Sequence, residues 1–159
     1  MQLNSAVYAL GEGAGSVLIT VTLDVTSSVP VTVNYAMAGD SATAPDDFTA
    51  LADTLVFAPG VTVQTFSVAL NDDALDEPDE TFTVSLNSPI SATLGVPAQA
   101  VVSILDDDAP PTVQFSQDDY STLESAGSTT ITMKLSAPSS LTITVPYTVS
   151  DVSATSPAD

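Results

Sequence analysis

Three observations predict an all-β chain folded as a two-sheet antiparallel sandwich, with part of a second sandwich behind it. Val, Thr and Ser dominate, and apolar residues alternate with Thr or Ser instead of recurring at helical spacing. Short apolar runs are separated by Gly, Pro and Asp turns. Hydrophobic residues make up 44% of the chain while aromatics are 6% and Trp is absent, so the core has to be built mostly from Val, Leu and Ile.

Each strand is read from its alternation. Val17, Ile19, Val21 and Leu23 share one face, with Thr20, Thr22 and Asp24 on the other. Val29, Val31, Val33, Tyr35 and Met37 repeat the pattern, followed by a short segment from Leu55 to Phe57. Phe66, Val68 and Leu70 come next, then Phe82, Val84 and Leu86, and finally Val102 and Ile104 ahead of an acidic run. The apolar parity changes between Val63 and Phe66, which predicts a bulge or a late strand start there. About seven strands joined by such turns make an immunoglobulin-like β-sandwich.

The sequence also matches itself. Residues 1–47 and 113–159 align without gaps, with 19 of 47 positions identical, so the repeat is 112 residues long. The pairs include Tyr8 with Tyr120, Glu12 with Glu124, Gly15 with Gly127, Ile19 with Ile131, Tyr35 with Tyr147 and Asp47 with Asp159. The expected organisation is a complete unit over 1–109, a stiff proline linker at 110–111, and the N-terminal part of a second unit over 112–159. That second copy stops in the loop after its third strand. Its core is expected to be closed either by further chain or by strands from another molecule.

Composition excludes several functions. The 20 acidic residues face a single base, Lys134, giving a net charge of -19, so a nucleic-acid partner is not expected and an anionic membrane surface is repelled. With no Cys and no His, thiolate and imidazole chemistry is absent, and no apolar run is long enough to insert in a membrane. The opening residues MQLNSAVYAL carry no basic region ahead of an apolar stretch, so no secretory signal is expected within the chain. No G-x-S-x-G or phosphate-binding glycine loop occurs, and Lys134 is expected on an outward strand face. Paired carboxylates can run glycosidase chemistry, but this number of them at one tip suits a metal better, and the chain is expected not to be an enzyme.

The acidic residues are concentrated. Twelve of the 20 lie in four segments of the first unit: Glu12, the Asp46–Asp47 pair, the stretch from Asn71 to Phe82, and Asp106 to Asp108. Strand directions in a sandwich put all four at the same end. Converging carboxylates repel one another, and a hard divalent cation removes the repulsion. Calcium accepts roughly six to eight oxygen ligands in tolerant geometry, which loops can supply, whereas magnesium demands a tighter octahedron. Solvated turns explain one acidic pair, and a halophilic surface would spread its acids instead of clustering them.

The stretch DDALDEPDETF from Asp72 to Phe82 follows Ala42-Thr43-Ala44-Pro45-Asp46-Asp47-Phe48 and precedes Ile104-Leu105-Asp106-Asp107-Asp108. These three motifs, in this order, strongly resemble the Calx-β family, whose domains occur in sodium/calcium exchangers, an integrin subunit and tandem-repeat bacterial surface proteins. The resemblance covers nearly all of residues 1–108 and the opening of a second copy. It implies calcium ligands at Glu12, Asp47, Asp72, Asp73, Glu77, Glu80, Asp106, Asp107 and Asp108. Three positions depart from the pattern: Pro78 replaces a glycine, Asn71 replaces a third Asp, and Asp40-Ser41 replaces Asp-Gly. In the second copy only Glu124 and Asp159 remain.

The resulting expectation is a non-catalytic, calcium-binding structural or adhesive repeat module of an extracellular or cell-surface protein, of the bacterial type. Calcium and adjacent repeats are its expected partners, with the ion beside the proline linker stiffening the array. Two alternatives stay open: a filament subunit whose second repeat is completed by a neighbouring subunit, and a regulatory calcium sensor of a transporter.

Overall fold

The structure, a computed structural model, describes residues 1–153. It divides into two compact units, Met1–Asp73 with Pro78–Asp107, and Ala74–Glu77 with Asp108–Asp159. The fold is all-β, and the segment 74–77, which the repeat pattern puts inside the first copy, groups with the second unit.

The first unit is a sandwich whose N-terminal strand serves both sheets. β1 (Gln2–Leu3) pairs antiparallel with β3 (Ser16–Thr22), whereas β2 (Val7–Gly11) runs parallel to β8 (Gln99–Leu105). Ser5 marks the crossing between sheets. Its hydroxyl accepts the Val7 N–H at 3.2 Å and donates to the Val7 carbonyl at 2.7 Å. The remaining strands are β4 (Val31–Gly39), β5 (Ala52–Phe57), β6 (Val63–Ala69) and β7 (Glu80–Ile90). One sheet has the order β1-β3-β6 and the other β2-β8-β7-β4-β5.

The alternation seen in the sequence becomes the core. Val17, Ile19 and Val21 of β3, Val31 and Val33 of β4, Val68 of β6, Phe82 and Val84 of β7 and Val102 of β8 are all fully buried. Two stacked ring pairs join the aliphatic layer, Tyr35 with Phe66 at 4.0 Å and Phe48 with Phe82 at 4.1 Å between centroids. Burial raises the Tyr35 phenol above its ordinary pKa, and the Asp53 charge acts in the same direction.

Two expectations about strands need correction. β4 starts at Val31, leaving Val29 exposed in the preceding loop. No bulge interrupts β6 against β3, since the register runs unbroken from Thr22↔Val63 to Ser16↔Ala69. Val63 simply faces outward, and the inward set runs Gln64, Phe66, Val68, with polar Gln64 masking the parity. The register shift falls instead between β4 and β7, at Thr32/Asn34.

The second unit repeats the local geometry of the first on a smaller scale. β9 (Val113–Phe115) and β10 (Met133–Leu135) form an antiparallel ribbon, and a 3-10 turn at Glu124–Ala126 is closed by Gly127 at φ 75°. Asp76 is buried in this unit, where the Ser139 hydroxyl donates to its carboxylate at 2.6 Å and the Ser140 N–H to its carbonyl at 3.0 Å.

Candidate metal centre

The centre forms where three loops of the first unit reach one end of the sandwich. Glu12 opens a 3-10 turn, Glu12–Ala14, between β2 and β3, which Gly15 closes at φ 74°. A left-handed residue there turns the chain sharply into β3, and Gly adopts it without steric cost. Leu70, just after β6, donates its N–H to the Gly15 carbonyl at 3.2 Å. That bond sets Asp72 beside the Glu12 turn. Asp107 arrives from the end of β8, which pairs with β2 up to Gly11↔Leu105.

Carboxylate oxygens of Glu12, Asp72 and Asp107 lie within 4.8 Å of one another. Glu12 also offers an oxygen within 4.8 Å of Asp73. Glu12 itself is buried, 7% exposed, while Asp72 and Asp107 face solvent. A carboxylate so withdrawn from water needs donors or a counter-charge. The floor beside it is kept open by Gly13, where a Cβ would stand 3.2 Å from Asp107 Oδ2 and 3.6 Å from Asp72 Oδ1. An all-carboxylate donor set around a gap of this kind fits a hard cation such as calcium.

A second pair lies on the neighbouring loop, where Asp47 and Glu80 bring carboxylate oxygens within 4.8 Å of each other. Asp47 is oriented by its own loop. Its Oδ2 accepts the Thr43 N–H at 2.5 Å and the Thr43 hydroxyl at 3.2 Å. The loop in turn is tied to β7, because the Asp40 and Ala42 N–H groups donate to the Thr81 carbonyl and Ser41 Oγ accepts the Thr81 N–H at 2.9 Å.

The other residues expected as ligands are placed as follows. Asp106 is half-buried, and its N–H donates to Asp79 Oδ1 at 3.2 Å. Glu77 and Asp108 fall within the second unit. Glu124 is exposed on its 3-10 turn, and Asp159 lies outside the described residues.

Two departures from the family pattern acquire structural roles. Asn71 donates its amide to the carbonyls of Pro45 and of Asp46, the latter at 2.9 Å, and its backbone N–H donates to the Asp47 carbonyl at 3.0 Å. An Asp at 71 has no donor for those carbonyls. Ser41 supplies the acceptor for Thr81 that a glycine lacks. Gly13, Asn71 and Asp79 were not singled out as site residues from sequence. Only the Gly-Glu-Gly flanks of Glu12 hinted that the chain makes room there.

Calx-beta domains are the class that this fold and this acidic tip define. The family profile matches residues 1–108 and again 106–159, and the chain belongs to the Calx-beta domain family. It is 31% identical to the sodium/calcium exchanger Calx of Drosophila melanogaster over 96% of this chain and 16% of the exchanger. To the human FRAS1-related extracellular matrix protein 1 it is 39% identical, over 53% of this chain and 4% of that protein. The chain thus spans a small part of either relative. Among solved structures, the calcium binding domain CBD12 of CALX1.1 superimposes with a TM-score of 0.66 at 32% identity, covering 73% of this chain and 49% of that one. The relatives compared come from animals and lend no support to the bacterial surface type expected from sequence.

Proposed function

We propose that the first unit binds calcium at Glu12, Asp72 and Asp107, with Asp73 beside them, and that Asp47 and Glu80 contribute a neighbouring position. Asp106, adjoining Asp107 in sequence, is the further ligand within this unit. The observation that carries the reading is the meeting of three carboxylates from separate loops, within 4.8 Å, over a glycine that leaves the space open. The likeness to the calcium binding domain CBD12 of CALX1.1 supports it.

In this reading the chain is a non-catalytic repeat module of an extracellular or surface protein. Its metal loop at Asp106–Asp108 leads directly into Pro110-Pro111, so a bound ion restrains the residues that enter the linker and stiffens a tandem array. The FRAS1-related extracellular matrix relative favours this setting. Similarity to the exchanger Calx over 96% of the chain favours a second reading, a regulatory calcium sensor. Affinity separates the two. Extracellular calcium modules work at about 10⁻⁴ to 10⁻³ M and sensors at about 10⁻⁷ to 10⁻⁵ M.

Calorimetric titration of calcium into the chain tests the site. Saturable binding is expected, and at about a hundredfold excess over Kd it stabilises the folded state by about 2.7 kcal/mol. For a unit of about 100 residues that is a Tm rise on the order of 10 °C. Asp107→Asn is expected to weaken binding at least about tenfold, or about 1.4 kcal/mol, and Asp24→Asn to leave it unchanged. An unaltered Kd in Asp107→Asn rules out the assigned site.

A further inference from the structure

Asp76 lies inside the metal loop, between Asp73 and Glu80, yet among the described residues it joins none of the carboxylate groups that meet within 4.8 Å. It is 4% exposed, and its segment Ala74–Glu77 belongs to the second unit, whereas Asp72, Asp73 and Glu80 belong to the first. The loop therefore leaves the first unit after Asp73 and re-enters it at Pro78. Inside the second unit Asp76 is held by side chain and backbone together. The Ser139 hydroxyl donates to its Oδ2 at 2.6 Å, the Ser140 N–H donates to its carbonyl at 3.0 Å, and residues 76 and 139 form a parallel bridge. Burying a carboxylate is costly without such donors.

The 112-residue repeat shows that the serine turn closes without an acid. Its counterpart in the first unit is Ser27-Ser28-Val29. There Ser27 Oγ accepts the Val29 N–H at 3.1 Å and donates to the Val29 carbonyl at 2.8 Å. Ser139 Oγ accepts the Leu141 N–H at the same 3.1 Å. A hydroxyl has one proton to give, and here it goes to Asp76.

We infer that Asp76 is a positioning residue for calcium, clasped by Ser139 and Ser140 so that the middle of the metal loop is fixed and the acids on either side of it are presented already ordered. The inference rests on the calcium reading. Asp73 precedes Asp76 by three residues and Glu80 follows it by four, so the clasp removes loop freedom that the ion otherwise has to remove on binding. Linkage makes the effect mutual, and calcium strengthens the clasp by the factor by which the clasp strengthens calcium binding.

The clasp and its effect are measured separately, both in the full chain. In EDTA, amide hydrogen exchange at Ser140 is expected to speed up at least about tenfold in Asp76→Ala and in Ser139→Ala, while the amides of the β9–β10 ribbon report that the second unit stays folded. Calorimetric titration is expected to show calcium Kd raised at least about fivefold in both variants. Asp76→Asn keeps an oxygen that accepts the Ser139 proton, and is expected to stay within about twofold of the parent chain in both measurements. In the parent chain, calcium is expected to slow Ser140 exchange by a comparable factor. Unchanged Ser140 exchange in Asp76→Ala means that no clasp exists and overturns the proposal. A Kd that rises in Asp76→Asn but not in Ser139→Ala makes the effect one of charge alone and also overturns it. An unchanged Kd in Ser139→Ala with the Ser140 amide released overturns the coupling and leaves the calcium site standing, whereas a parent chain that binds no calcium overturns both.

Discussion

At the scale of single residues, Gly13 and Gly15 stand two positions apart and do different things. Gly15 has φ 74° and nothing within 4 Å of a Cβ built on it, so its requirement is conformational. Gly13 has no such backbone demand, and its missing side chain is space among carboxylates. Gly15→Ala is expected to cost about 1–2 kcal/mol of stability in EDTA and in calcium alike. Gly13→Val is expected to change stability in EDTA by no more than about 0.5 kcal/mol, as for an ordinary surface position, yet to reduce calcium affinity at least about tenfold by placing carbon beside the Asp72 and Asp107 oxygens. Paired thermal melts and titrations of the two variants check this. Equal calcium affinity in Gly13→Val and the parent chain refutes the role given to that gap.

At the scale of elements, the loop from Asp40 to Phe48 shows how the core positions the tip. Phe48 is fully buried, stacks on Phe82, and bridges to Leu70 immediately after Asp47. Gly39 admits the close turn into this loop, because a Cβ there would collide with the Ala42 carbonyl oxygen. Phe48→Ala is expected to destabilise the first unit by about 3–5 kcal/mol, measured by urea denaturation, and to weaken calcium binding although no carboxylate is removed. The milder change Asn71→Ala removes only the amide bonds to Pro45 and Asp46, and should lower affinity while the core stays intact.

Legibility in the sequence divides along the same line. Strands with one buried face, such as β3 and β4, were readable because period-two alternation is imposed directly by burial. Val63 and Gln64 misled because an edge position tolerates either polarity, so local pattern and actual facing part company there. The acidic segments at the tip were readable from topology, since strand direction alone dictates the end at which each loop emerges. Asn71 and Gly13 were not, because a hydrogen bond to a distant carbonyl and an absence of atoms leave no periodic trace.

At the scale of the whole molecule, a charge of -19 acts on stability in two separable ways. Diffuse self-repulsion among exposed carboxylates is screened by any salt, with a Debye length of about 10 Å at 0.1 M and about 3 Å at 1 M. NaCl is therefore expected to raise the Tm and then level off once screening is complete. Close repulsion among Glu12, Asp72 and Asp107 behaves differently, because a gap of at most 4.8 Å between oxygens leaves little room for a diffuse ion atmosphere, and the group responds chiefly to an ion that enters between them. In NaCl at about 0.5 M, where the diffuse contribution is largely spent, millimolar CaCl₂ is expected to add a further, saturable rise in Tm. MgCl₂ at the same concentration should add much less, since magnesium holds its water and demands a near-ideal octahedron. Asp107→Asn should remove the calcium increment and leave the NaCl curve nearly unchanged, because it deletes one charge of many but one ligand of few. Superimposed NaCl, MgCl₂ and CaCl₂ curves at equal ionic strength would mean that the acidic tip is a solvated surface and that no metal centre forms there.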